Sequence, residues 1–107
     1  MIQREPDFHL NPPCYIIEEW NPDFLKALPY SRFLQSEYWA WVRDAVIDLD
    51  GPQCTLCSRT GSPEVHHLEY INHGYEHLHA EDLVVLCRRC HRRIHRHFGW
   101  KPGNDWT

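Results

Sequence analysis

The sequence contains no long apolar run, no signal-peptide pattern and no internal repeat. Without an apolar run there is no membrane-spanning helix to expect. Without a secretory signal the expected compartment is the cytosol, or the nucleus in a eukaryote, where cysteines stay reduced. Positive charge is not in excess either: Lys+Arg 11 against Asp+Glu 15 gives a net charge of -4, which is not the balance of a general nucleic-acid binder. A length of 107 residues corresponds to one domain and leaves no room for a separate specificity domain. So short a chain has little interior for its surface. Although 42% of its residues are hydrophobic, a structural metal is a fitting staple.

What the chain does have is concentrated between Cys54 and His95. Cys54-Thr-Leu-Cys57 and Cys87-Arg-Arg-Cys90 are two CxxC pairs. A CxxC turn aims two sulfurs at one point, and two such turns complete a tetrahedral zinc site. Binding a dication offsets the cost of ionising the thiols and drives local folding. The separation from Cys57 to Cys87 exceeds that of an ordinary zinc ribbon, so the intervening segment must fold over the site. Two disulfides or unrelated thiols are the competing reading, disfavoured by the paired motif and the missing secretory signal. Cys14 has no partner motif and reads as a partly buried free thiol.

The histidines are ordered between and after those pairs. His66 and His67 are adjacent, so in a strand they point to opposite faces. His91 and His95 are four apart and share one face of a helix. His66, His91 and His95 can therefore converge on one ion, distinct from a zinc already closed by four cysteines. His73, His77 and His79 fit no ligand spacing and read as solvated loop residues; His9 and His97 are unassigned.

In order, Cys54-x-x-Cys57, Val65-His66-His67-Leu68-x-Tyr70, Gly74-x-Glu76 and Asp82-Leu83-Val84-x-Leu86-Cys87-x-x-Cys90-His91-x-x-Ile94-His95 resemble the HNH endonuclease family. More narrowly, they resemble its zinc-containing, McrA-like branch with two CxxC pairs. A weaker likeness extends to Tyr38-Trp39-Ala-Trp-Val-Arg43, where such proteins often carry a helix entering the first CxxC. The resemblance implies a ββα-metal fold, in which a hairpin and a helix hold one catalytic divalent ion against a scissile phosphate. It implies that His67 is the general base that activates water. His66 would be the metal ligand before it, His91 the last metal ligand, and His95 a further histidine that binds metal or phosphate. Asp82 departs from the pattern, standing where Glu-Asn-Leu is often found. The family's Asn either binds metal or holds the loop that carries the base. Asp keeps the acceptor and loses the amide donor, so a metal role survives the exchange and a donor role does not. Asn72 is the alternative replacement.

The expected fold class is α+β: a small zinc-stapled, treble-clef-like ββα-metal domain preceded by N-terminal helices. Residues 1–35 form an N-terminal arm, residues 36–98 the HNH nuclease domain, and residues 99–107 a tail in which Trp100 or Trp106 docks on the body. Within the arm, Tyr15-Ile16-Ile17 reads as a short edge strand or a packing strip. Asn21-Pro22 starts a short helix that runs to Leu28 and stops at Pro29. Ser36 caps a helix over 37–49, with Tyr38, Trp41, Ala45 and Leu49 on its inner stripe and Val42 and Val46 beside it. The aromatics there read as core rather than as a base-stacking platform. Gly51 suits the left-handed cap that ends this helix. The ββα-metal core covers 54–98: a strand over 64–70, a loop over 72–82, a strand over 83–86, and a helix from Cys90 to Phe98.

Charge is unevenly distributed. Residues 1–50 hold nine acids and four bases, whereas from Val84 to Lys101 there are six bases and no acid. Arg88, Arg92 and Arg96 share one helical face and Arg89 and Arg93 the next. Arginine contacts phosphate through two parallel hydrogen bonds, and this helix also carries His91 and His95, so its basic face is the expected nucleic-acid-binding surface. The bland alternative is a solvated helix face.

Together these placements describe phosphodiester hydrolysis in nucleic acid, with double-stranded DNA as the expected substrate. His67 takes the proton from water, one divalent ion binds the phosphate, and an arginine steadies the added charge. The expected cofactors are structural Zn²⁺ and catalytic Mg²⁺ or Mn²⁺, with Ni²⁺, Co²⁺ or Zn²⁺ also accepted by histidine ligands. The family mechanism implies 5′-phosphate and 3′-hydroxyl products. A protein partner or a homodimer would supply sequence specificity or double-strand cutting. Two other classes stay open: a zinc module with a decayed site that binds DNA or protein without cutting, and a structural module whose N-terminal half binds a partner.

Overall fold

The computed structural model describes residues 10–98. The docking expected of Trp100 or Trp106 lies outside the described residues. The order is four helices, a two-stranded antiparallel sheet and a last helix: α1 (Cys14–Glu19), α2 (Pro22–Ala27), α3 (Tyr30–Phe33), α4 (Glu37–Asp50), β1 (Pro63–His67), β2 (Leu83–Cys87) and α5 (Arg88–Phe98). Two single 3₁₀ turns, Glu76–Leu78 and Ala80–Asp82, lead into β2.

Of the two readings of Tyr15–Ile17, the edge strand is not formed: the segment is part of the helix α1, and it packs on the core through Ile16. The amides of Ile16 and Ile17 both bond the carbonyl of Pro13, which closes a turn. The sheet has two strands and pairs with nothing in this segment. Only Ile16 of the three is buried. Cys14 is exposed rather than partly buried.

α2 begins where Asn21 and Pro22 place it, with Asn21 Oδ1 accepting from the Phe24 amide at 3.1 Å. After Pro29 the chain starts a further turn, α3, that sequence reasoning did not include. Pro29 ends one helix and supplies the carbonyl that opens the next, accepting from Arg32 and Phe33. In α4 the Ser36 hydroxyl accepts from Trp39 N at 3.1 Å. Gly51 ends it at φ +84°, a conformation that costs glycine little.

The inner stripe of α4 is displaced from the expected one. Tyr38, Trp39, Val42 and Val46 are buried, whereas Leu49 is 43% exposed and Trp41 and Ala45 are half-buried. The face is set by what it packs on: Trp39 stacks on the His67 ring of β1. The core reading of the aromatics holds for Tyr38 and Trp39.

β1 and β2 pair with Pro63 opposite Cys87, Val65 opposite Val85 and His67 opposite Leu83. β1 ends at His67, short of the expected Tyr70. Leu68 N turns to the carbonyl of Asp82 at 2.7 Å, and a turn closed by His73 N on Tyr70 O follows. Gly74 takes φ +96°, and an added Cβ there would lie 3.2 Å from the Pro22 carbonyl. The loop thereby packs against α2, and Trp20 Nε1 donates to Gly74 O at 2.8 Å.

β2 is buried at all five residues because both faces of the hairpin are covered. Leu83 and Val85 join Val65 in the larger core with Phe33, Trp39, Val42 and Val46. Val84 and Leu86 join Cys54, Cys87, Cys90 and Ile94 in a second cluster. The larger core also takes in Ile16 and Leu25 from the N-terminal helices and Leu10 from the segment before α1. Among the described residues no helix is long and apolar enough to cross a membrane.

Candidate metal centres and nucleic-acid face

The four paired cysteines meet. Cys54 sits in the turn after α4, Cys57 closes that turn, Cys87 ends β2 and Cys90 lies in the first turn of α5. Their sulfurs all lie within 4.8 Å of one another, and none is in a disulfide. Cys57 Sγ and Cys87 Sγ are 3.7 Å apart. Four sulfurs at ~2.3 Å from a tetrahedral zinc would be separated by about this distance. In each turn a backbone amide reaches the first sulfur: Cys57 N to Cys54 Sγ at 3.5 Å and Cys90 N to Cys87 Sγ at 3.4 Å.

Those contacts show in the acidities. Burial disfavours the Cys54 thiolate, but backbone hydrogen bonds at Cys87, Cys57 and Leu56 outweigh it and bring the thiol down to about 6. The amide of Cys90 likewise lowers Cys87. Burial and then the neighbouring sulfurs push Cys90 up to about 12. Four contiguous sulfurs cannot all ionise without a counter-charge, and a dication supplies it. The donor set fits structural zinc.

On one face of the hairpin, His66 of β1 faces His91 and His95 of α5. One ligand nitrogen from each lies within 4.8 Å of the others, and all three side chains are buried. Burial, followed by the neighbouring charges of His91 and His95, lowers His66 to about 3, so its imidazole is neutral and ready to ligate. Glu64, two residues before His66 on the same strand face, accepts from His91 Nδ1 at 2.8 Å and from Arg88 Nε at 3.2 Å. That leaves Nε2 of His91 for a metal.

His67 faces the other way, as adjacent strand residues must. Its ring lies between Trp39 and Tyr70, with centroids 4.7 Å away on both sides and interplanar angles of 19° and 24°. Nε2 is 3.0 Å from Glu76 Oε2, and Nδ1 is 3.2 Å from the Tyr30 hydroxyl. His73 Nδ1 meets the same Glu76 oxygen at 2.9 Å, while Gly74 N donates to Glu76 Oε1 at 2.9 Å. Burial alone would raise the Glu76 carboxyl. The hydrogen bonds from His67 and His73 reverse this and hold it at about 2. His67, His73 and Glu76 are thus close enough to share a metal, and hydrogen bonding accounts for their approach.

Asp82 does not join the His66 group. Its carboxylate accepts from Asn72 Nδ2 at 2.8 Å, and its carbonyl accepts from Leu68 N. The two candidates for the family's Asn position are therefore bonded to each other across the loop.

Two histidines read as solvated are not. His77 is buried, with Nδ1 2.9 Å from the Tyr38 hydroxyl and its ring against Trp20. His73 is half-buried against Phe33. Both come from a loop whose polar composition hid its aromatic neighbours on the N-terminal helices.

Arg88, Arg89, Arg92, Arg93 and Arg96 are all exposed. They line one open groove together with Arg59, Gly61 and Ser62. Arg59, Glu64, Glu76 and Tyr30 received no role from the sequence. For Glu64 a signal was present, since period-two alternation puts it beside His66. For Tyr30 there was none.

Residues 54–97 match a family model described as HNH endonuclease. No curated protein and no solved structure matches the chain.

Proposed function

We propose that the protein, whose residues 54–97 match the HNH endonuclease model, hydrolyses phosphodiester bonds in double-stranded DNA with one divalent ion and a histidine base. The observation that carries the proposal is the convergence of His66, His91 and His95 within 4.8 Å on a hairpin and helix stapled by four cysteines. A zinc site closed by cysteines has no need of a second, all-histidine centre beside it.

His66, His91 and His95 would hold the catalytic ion, which would supply charge neutralisation to the phosphodiester. Three imidazole nitrogens suit Mn²⁺, Co²⁺, Ni²⁺ or Zn²⁺ better than Mg²⁺, which prefers oxygen ligands in an octahedron. Glu64 fixes the ring of His91. Arg88, Arg89, Arg92, Arg93 and Arg96 follow the phosphate backbone, with Arg59 lining the same groove. His67 takes the proton from the attacking water. Asp82 keeps the loop-holding half of the family's Asn role through its bond to Asn72.

One observation favours a competing reading, a zinc module that binds DNA or protein without cutting it: the side chain of His67 is 1% exposed. A gel shift in EDTA followed by addition of Mn²⁺ separates the two. Under the nuclease reading the shifted DNA is cut when the ion arrives. Bound DNA left intact with Mn²⁺, Ni²⁺, Co²⁺ and Zn²⁺ alike would establish the non-catalytic module.

A further inference from the structure

The enclosure of His67 raises a question that the nuclease reading leaves open: how a base with no face to solvent takes a proton from water. Its two nitrogens are not equivalent. Glu76 Oε1 accepts from Gly74 N and Oε2 faces two imidazole nitrogens, so its carboxylate is the acceptor of the group. Its Oε2 lies 3.0 Å from His67 Nε2, so that nitrogen carries the hydrogen. In the neutral ring that a base requires, Nδ1 is then the bare nitrogen, and the Tyr30 hydroxyl 3.2 Å away is the donor to it. The Tyr70 hydroxyl lies 3.1 Å beyond, on Tyr30. The Trp39 and Tyr70 rings stack on the imidazole, and the side chain of His67 is 1% exposed.

We propose that Glu76 fixes the tautomer of His67 and that the Tyr30 hydroxyl relays the proton from the attacking water to His67 Nδ1. The step balances. Water gives a proton to the Tyr30 oxygen as the Tyr30 hydrogen passes to Nδ1. Tyr30 ends as a neutral phenol, and His67 ends as an imidazolium whose charge faces the Glu76 carboxylate. Glu76 is a positioning residue, since it acts through His67. A buried carboxylate on the far nitrogen of a histidine base stabilises the charged ring that forms, as in the serine-protease triad. Tyr30 lies in α3, outside residues 54–97, so the N-terminal helices would complete the catalytic site. The proposal rests on the nuclease reading.

The test has two arms on the full chain. In ¹⁵N-histidine NMR at neutral pH, the nitrogen shifts of His67 report its tautomer without reference to activity. The wild type should show Nε2 protonated and Nδ1 bare, and Glu76→Gln should lose that single form because an amide both donates and accepts. A wild-type His67 protonated on Nδ1 would overturn the assignment. In the second arm, Tyr30→Phe keeps the ring and removes the hydroxyl. It should lower kcat about 100-fold, the scale of a positioned proton transfer, with KM and metal content unchanged. A Tyr30→Phe variant that cleaves as fast as the wild type, or faster, would refute the relay while leaving the nuclease intact. A wild type that cuts nothing would remove both the relay and the nuclease reading.

Discussion

Glu64 Oε1 lies 2.8 Å from His91 Nδ1, and the two residues are joined across the hairpin-to-helix seam of the domain. A ligand histidine whose second nitrogen is held by a carboxylate has its ring orientation fixed and its basicity raised. Glu64 should therefore matter to the ion at His66, His91 and His95 and not to the cysteine site. Glu64→Ala is expected to weaken Mn²⁺ binding by roughly 10–100-fold with one zinc per chain retained. Calorimetric titration of the zinc-loaded protein checks it; unchanged Mn²⁺ affinity would leave Glu64 as a partner of Arg88 alone.

Cys57 is exposed, so Cys57→Ser removes a ligand without opening a cavity. A structural zinc is worth ~10–16 kcal/mol in small domains, comparable to or above the ~5–15 kcal/mol net stability of a fold. The variant should lose zinc and its folded circular-dichroism signal together. A stable, zinc-free Cys57→Ser protein would contradict a structural site.

Glu76 ties acid stability to the His67 box. Its carboxyl falls from 4.5 in the unfolded chain to about 2 in the fold. A depressed acid stabilises the fold above its unfolded value, and that contribution disappears as pH drops towards the folded one. The difference amounts to about 3 kcal/mol, present in full above pH ~5. The stability gap between wild type and Glu76→Gln, from urea midpoints, should be widest near neutrality and narrow between about pH 4.5 and 2. A gap independent of pH over that range would show that the charge of Glu76 is not what stabilises the box.

The arginines of α5 should act through phosphate. Arg92→Ala with Arg96→Ala is expected to weaken DNA binding of any sequence and to reduce the slope of log K against log salt by roughly 0.9 per lost contact. Fluorescence anisotropy at several salt concentrations measures it; an unchanged slope would move the DNA away from this groove.

What the sequence made legible follows from the range of the signals. CxxC spacing, the His66-His67 alternation and the four-residue step from His91 to His95 are local, and the structure brings together the groups they imply. The caps at Asn21 and Ser36 are local too, and both form. The errors came from contacts set by distant residues. The inner face of α4 turned towards Trp39 because β1 packs there, and Tyr15–Ile17 became a helical turn because, among the described residues, no strand lies beside it. His73 and His77 are enclosed by aromatics of the N-terminal helices, which no spacing within their loop announces. Tyr30 meets His67 across 37 positions, beyond the reach of any motif.

The central claim is that the three histidines hold the ion that cuts, and supercoiled-plasmid cleavage with matched metals tests it most directly. Wild type and His66→Ala, each carrying its cysteine-bound zinc, would be assayed in EDTA and in Mg²⁺, Mn²⁺, Co²⁺, Ni²⁺ or Zn²⁺. The expected result is conversion of plasmid to open-circle or linear DNA by wild type, absent in EDTA, stronger with Mn²⁺ or a later ion than with Mg²⁺, and lost in His66→Ala. Equal cleavage by both proteins, or none by either in any metal, would contradict the claim.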